Sequence, residues 1–127
     1  YDDFCKNNLT ITDIVKKDYQ NYDITIISVI SPYENIRNQI KREFNKDLSF
    51  IYMHSDIESL RQRDTKGLYK KADNKEILNL IGYSDIADSR YERPISPDLI
   101  LNTSFGINPN ENIKKLNKFL KSMLNEI

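Results

Sequence analysis

The sequence predicts an α/β domain built on a parallel sheet flanked by helices. Three observations carry this: short apolar runs, helical stripes between them, and capping motifs where the helices should begin. Residues 24–30 (ITIISVI) are β-branched and almost continuously apolar, the pattern of a strand covered on both faces. Residues 48–53 (LSFIYM) and 99–101 (LIL, entered from Pro97-Asp98) are the other two expected strands. An early helix should carry Ile11, Ile14, Val15 and Tyr19. Ile36, Ile40 and Phe44 recur every four residues, and Ile113, Leu116, Leu120, Met123, Leu124 and Ile127 form a C-terminal stripe. Ser31-Pro32-Tyr33-Glu34 reads as an N-cap, a first-turn proline and a reciprocal glutamate. Asn108-Pro109-Asn110-Glu111 repeats that logic, and Ser55 with Glu58 and Asp73 with Glu76 are further expected helix starts. Residues 83–97, polar and with two prolines, read as a long loop.

A chain of 127 residues with 39% hydrophobic content suits one domain over residues 1–127 with a modest core. Its 19 basic and 19 acidic side chains cancel, which argues against a general nucleic-acid or membrane-surface binder. Eight scattered tyrosines form no stacking stripe for a single strand. No apolar run approaches the roughly 20 residues that span a bilayer. One cysteine, Cys5, cannot form an internal disulfide, so a cytoplasmic location is expected. The start at Tyr1-Asp2-Asp3 lacks both a methionine and a basic leader segment, and is expected to lie inside a longer chain.

Ligands of open α/β sheets bind beyond the carboxyl ends of strands. The run at 24–30 leads directly into Ser31-Pro32, which would bring the start of a helix, Tyr33 and Arg37 to such a crevice. Most Ser-Pro-x-Glu segments only start a helix, so this signal is weak by itself. A sharper one lies between Arg61 and Lys75. Six basic residues (Arg61, Arg63, Lys66, Lys70, Lys71, Lys75) face two acidic ones (Asp64, Asp73), an excess of +4 in a neutral protein. Most charge runs are solvated faces. This one holds Gly67 and follows an expected strand, as a flap closing over phosphates would. His54, the single histidine, has no partner at metal-ligand spacing and is expected to be structural; no metal site is expected elsewhere. The phosphate-cradling pattern G-x-x-x-x-G-K-[ST] does not occur in these residues.

The segment Arg63-Asp64-Thr65-Lys66-Gly67-Leu68-Tyr69-Lys70-Lys71-Ala72, continued by Glu76-Ile77, closely resembles the adenylylsulfate kinase signature R-D-x-K-G-L-Y-K-K-A. Ile30-Ser31-Pro32-Tyr33 with Arg37, Tyr91-Glu92-Arg93-Pro94 and Pro97-Asp98-Leu99-Ile100-Leu101-Asn102-Thr103 resemble further segments of that family, in its order. The resemblance runs from about Ile24 to the C-terminus. It implies a P-loop kinase fold lacking its N-terminal phosphate-loop unit, with a lid at about residues 61–82. It implies transfer of the γ-phosphoryl group of ATP, with Mg²⁺, to a nucleotide 3′-hydroxyl. In that picture Lys66 and Lys70 serve catalysis at the phosphates, and Arg63 and Thr103 hold ATP. Ile30, Ser31, Pro32, Tyr33, Arg37, Leu80 and Tyr83 bind the acceptor. The catalytic base and Mg²⁺ ligands would precede Tyr1. Family members are often dimers, so a homodimer is an expectation of the same kind.

Where the family has F-T-G-I, with its phenylalanine stacked on the acceptor base, this chain has Leu80-Ile81-Gly82-Tyr83. The link from Tyr83 to Arg90 is also several residues longer. An acceptor other than adenylylsulfate, such as a cytidine diphosphoramidate of capsule biosynthesis, is therefore an alternative, as is a non-catalytic nucleotide-binding protein. With the sheet incomplete, the 127 residues alone are expected to be marginally stable or to associate.

Overall fold

The computed structural model describes residues 1–84 and 89–125. Its elements in chain order are α1 (Asp2–Lys16), α2 (Glu34–Phe44), β1 (Ile51–His54), α3 (Ile57–Arg63), α4 (Leu68–Asp73), β2 (Leu99–Asn102) and α5 (Pro109–Asn125). Short 3₁₀ turns occur at Tyr19–Asn21 and Asn45–Asp47. The chain divides into two compact units, residues 1–49 with 81–95 and residues 50–80 with 96–127.

The first unit is built on α1 against α2. The four-residue repeat does what it predicts: Ile36, Ile40 and Phe44 are buried, and Tyr33 joins them. Tyr19 lies beyond α1, in the first 3₁₀ turn, where its ring meets Phe44 edge-on at 5.2 Å. The opposing face of α1 is polar, with Asn8 and Thr12 only 2% and 4% exposed. Thr12 is satisfied within the helix, its hydroxyl donating to the Asn8 carbonyl.

Two expectations fail in this unit. Residues 24–30 form no strand; Ile24, Ile26, Val29 and Ile30 are exposed, Ile26 at 84%. A strand exists through its ladder, and among the described residues no strand pairs with this segment; β-branched residues cannot supply the partner. Ser31-Pro32 does not start α2 either. The helix begins at Glu34 after Tyr33, which is extended (φ −116°, ψ 131°). The Pro32 carbonyl instead accepts the Glu92 N–H at 2.7 Å, and the Glu92 carboxylate accepts the Glu34 N–H at 2.6 Å. A carboxylate 58 residues away in sequence thus caps α2, and a local motif search has no access to it.

In the second unit β1 and β2 pair in parallel, in register from Ile51↔Leu99 to His54↔Asn102. The first strand starts later than its apolar run, and the second extends one residue further. Leu101 is buried and α5 packs beside β2. The α5 start is as expected, with the Asn108 side-chain oxygen accepting the Asn110 N–H. Ile127 of the expected stripe lies outside the described residues. Helix α3 is capped by Asp56 rather than Ser55: its carboxylate accepts the Ser59 N–H at 2.7 Å. Asp73 ends α4 instead of starting a helix, because the chain turns at Asn74 and Lys75, the latter at φ +60°. Residues 83–84 and 90–97 carry no helix or strand, and 85–88 of the expected loop lie outside the described residues.

Candidate functional site

In the first unit the segment 30–33 is held by one arginine. Arg37 is 4% exposed, and its guanidinium donates to the Ser31 carbonyl, the Glu92 carbonyl and, through two nitrogens, the Glu34 carboxylate. The Tyr91 ring lies 6.0 Å from its central carbon. Arg37 therefore ties the Ser31 loop to the 91–92 segment. Pro32 is fully buried, and Tyr33 packs on Tyr1 with ring centres 4.7 Å apart. Ile30, by contrast, is 57% exposed. Gly82 (φ +75°) approaches Tyr91 so closely that a Cβ would sit 3.3 Å from its side chain; Tyr83 follows, half-buried.

Two buried polar atoms in this unit have no hydrogen-bond partner among the described residues: the Ser31 hydroxyl and the Asn8 side-chain oxygen. They belong to one neighbourhood, since the Asn8 amide donates to the Ile30 carbonyl at 3.0 Å and to the Phe4 carbonyl at 2.9 Å. Buried polar groups are almost always paired, so a water or a polar ligand group would satisfy each of these two atoms. Asn8 has no signal in the sequence: next to Asn7 in a helix, it reads as solvent-facing.

The second unit holds the basic segment. Asp64 organises it, one carboxylate oxygen accepting the Tyr69 N–H and the other the Lys70 N–H, both at 3.0 Å, while its carbonyl accepts the Gly67 N–H at 2.8 Å. Desolvation raises the Asp64 pKa, but the N–H groups of Lys70, Tyr69 and Leu68 outweigh it and hold the carboxyl below its ordinary value. Gly67 takes a left-handed conformation (φ +66°), which glycine adopts without steric cost. This turn presents Lys66 and Lys70, both exposed and without a counter-ion among the described residues. Arg61 instead pairs with Asp73 at 3.1 Å. Leu80 is half-buried in this unit.

Arg63 is exposed yet fixed. It donates to the Ser55 hydroxyl at 3.0 Å and to the Thr103 carbonyl, and its guanidinium lies over the Phe105 ring. Thr103 is knitted to the end of β1, its N–H and hydroxyl both donating to the His54 carbonyl. His54 itself is half-buried, its Nδ1 3.3 Å from the Tyr52 hydroxyl. Among the described residues no group of three His, Cys, Asp or Glu could hold a metal ion, and no helix is long and apolar enough to cross a membrane.

A family model described as adenylylsulphate kinase matches residues 2–102. An adenylyl-sulfate kinase of Clostridium acetobutylicum is 35% identical over 102 residues, covering 80% of this chain and 49% of that protein. One of Bacillus velezensis is 37% identical over 107 residues, covering 80% and 50%. The crystal structure of APE1195 superposes with a TM-score of 0.72 at 30% identity, over 94% of this chain and 66% of that one. The chain spans about half the length of the curated relatives it matches.

Proposed function

The chain belongs to the adenylylsulphate kinase family, and from that premise we propose that the whole protein is an ATP-dependent kinase of P-loop type, phosphorylating the 3′-hydroxyl of a nucleotide. The observation that carries this reading is the Asp64–Lys70 turn, where a carboxylate and a left-handed glycine are used to display two exposed lysines. Phosphoryl transfer asks little covalent chemistry of a protein; it asks for positioning and for positive charge where charge develops. Lys66 and Lys70 supply the charge, and Arg63 with Thr103 holds the ATP base. Among the described residues no group of three His, Cys, Asp or Glu could hold a metal ion, and Mg²⁺ would be carried on the ATP phosphates, as it commonly is.

In the first unit, Ile30, Ser31 and Asn8 would meet the acceptor, with Arg37, Pro32 and Tyr33 fixing the backbone behind them. By resemblance Leu80 replaces the phenylalanine that the family stacks on the acceptor base, and Tyr83, three residues on, is the ring that could substitute for it. With a leucine in that place, an acceptor that is not adenylylsulfate is a second reading. A kinase assay of the whole protein with ATP-Mg²⁺ against adenylylsulfate and cytidine diphosphate derivatives tests both. Transfer to one acceptor, reduced about 10²-fold in Lys66→Ala and Lys70→Ala, is the expected result. No transfer to any acceptor, with both lysine variants binding ATP like the parent, would leave only a non-catalytic binding protein.

A further inference from the structure

Phe105 is a large apolar side chain left 55% exposed, yet its position is tightly specified. Its N–H donates to the Ser59 hydroxyl at 2.8 Å, and Ser59, only 2% exposed, donates that hydroxyl to Asp56 at 3.1 Å. The Asp56 N–H in turn donates to the Ser104 hydroxyl at 2.9 Å. The start of α3 and the loop after β2 are thereby sewn together through a buried serine. Arg63 lies one helical turn beyond Ser59, and its central carbon is 5.5 Å from the Phe105 ring centre. An exposed arginine normally keeps its rotamer freedom. This one is held by two acceptors at its N–H edge and by a ring at its side.

Core packing does not explain a ring so exposed, and solubility disfavours it. A flat cation held rigid against an aromatic ring is a platform for another flat ring, because guanidinium and aromatic faces both stack on bases. We infer that Phe105 is a positioning residue for the nucleotide base: it backs the Arg63 guanidinium, and the pair favours a nucleoside triphosphate over a triphosphate without a base. The inference deepens the ATP-binding part of the proposed function and rests on it for the identity of the nucleotide.

The sequence contains no tryptophan, so Phe105→Trp in the full chain installs a new reporter at this position. Its emission, read as the difference from the parent protein, should change saturably with ATP and stay constant with inorganic tripolyphosphate. Phe105→Leu should raise the KM for ATP about fivefold with a smaller change in kcat, leave tripolyphosphate affinity unaltered, and be rescued by Phe105→Tyr. Equal responses to ATP and tripolyphosphate, equal weakening of both in Phe105→Leu, or no ATP binding by the parent overturns the inference. So does calorimetric ATP binding that leaves the reporter silent. A reporter that senses ATP in a protein phosphorylating no acceptor would sink the kinase reading and keep this one. Phosphoryl transfer with an unchanged KM for ATP in Phe105→Leu would do the reverse.

Discussion

Arg37 shows how a residue picked for one reason is used for another. Its position after the Ser31-Pro32 segment suggests an anion-binding arginine, but its guanidinium is spent on two backbone carbonyls and Glu34. Removing it strands those acceptors and leaves Glu34 without its cation. Arg37→Ala should cost about 2–4 kcal/mol in denaturant unfolding, and Arg37→Lys less, since lysine keeps the charge beside Glu34 and loses only the planar fork. Asp56 offers a second residue-scale test. The Ser59 N–H, followed by the Ser104 and Ser59 hydroxyls, holds its carboxyl below the ordinary value. A depressed folded pKa means that its stabilisation is complete above the unfolded value of about 3.9 and is lost as pH falls through that value and the folded one. Asp56→Asn keeps a cap but cannot titrate, so its stability should depend less on pH in acid than the parent's. Superimposable acid-unfolding curves would remove Asp56 from this role.

At the scale of elements, the turn from α3 to α4 is the clearest case of sequence pattern becoming geometry. Asp64, Gly67 and the two lysines were legible as a signature, but the division of labour was not: the aspartate caps and the glycine turns. Gly67→Ala meets no steric neighbour, yet it must hold φ +66°, at roughly 1–2 kcal/mol. The expected result is a destabilised α4 with weaker ATP binding. Asp64→Asn should speed amide exchange at Tyr69 and Lys70 and leave α5 amides as they were; unchanged protection at those two amides would contradict the cap. Helix α2 makes the opposite point. Its apolar face follows the four-residue repeat, but its first turn is set by Glu92, so a motif read locally at Ser31 misplaces it.

At the scale of the molecule, the outstanding property is uncovered apolar surface. Ile26 is 84% exposed, Ile95 81%, Leu78 61% and Met53 60%. Surface of that kind drives association in water. The 127 residues by themselves should show a sedimentation coefficient that rises with concentration, and Ile26→Lys should reduce the rise. A concentration-independent monomer would show that these side chains find cover in solution.

The sequence by itself determined the class, the apolar face of α2 and the family, because periodicity and the ordered Arg63–Ala72 signature are local properties of the chain. It also determined where the basic charge would sit. Tertiary structure decided which groups meet across long separations: Glu92 at the start of α2, Asn8 at the Ile30 carbonyl, and Ser59 fastening Phe105 behind Arg63. It also decided that residues 24–30 form no strand. A ladder and a hydrogen-bond partner are relations between segments, and no single segment carries them in its own residues.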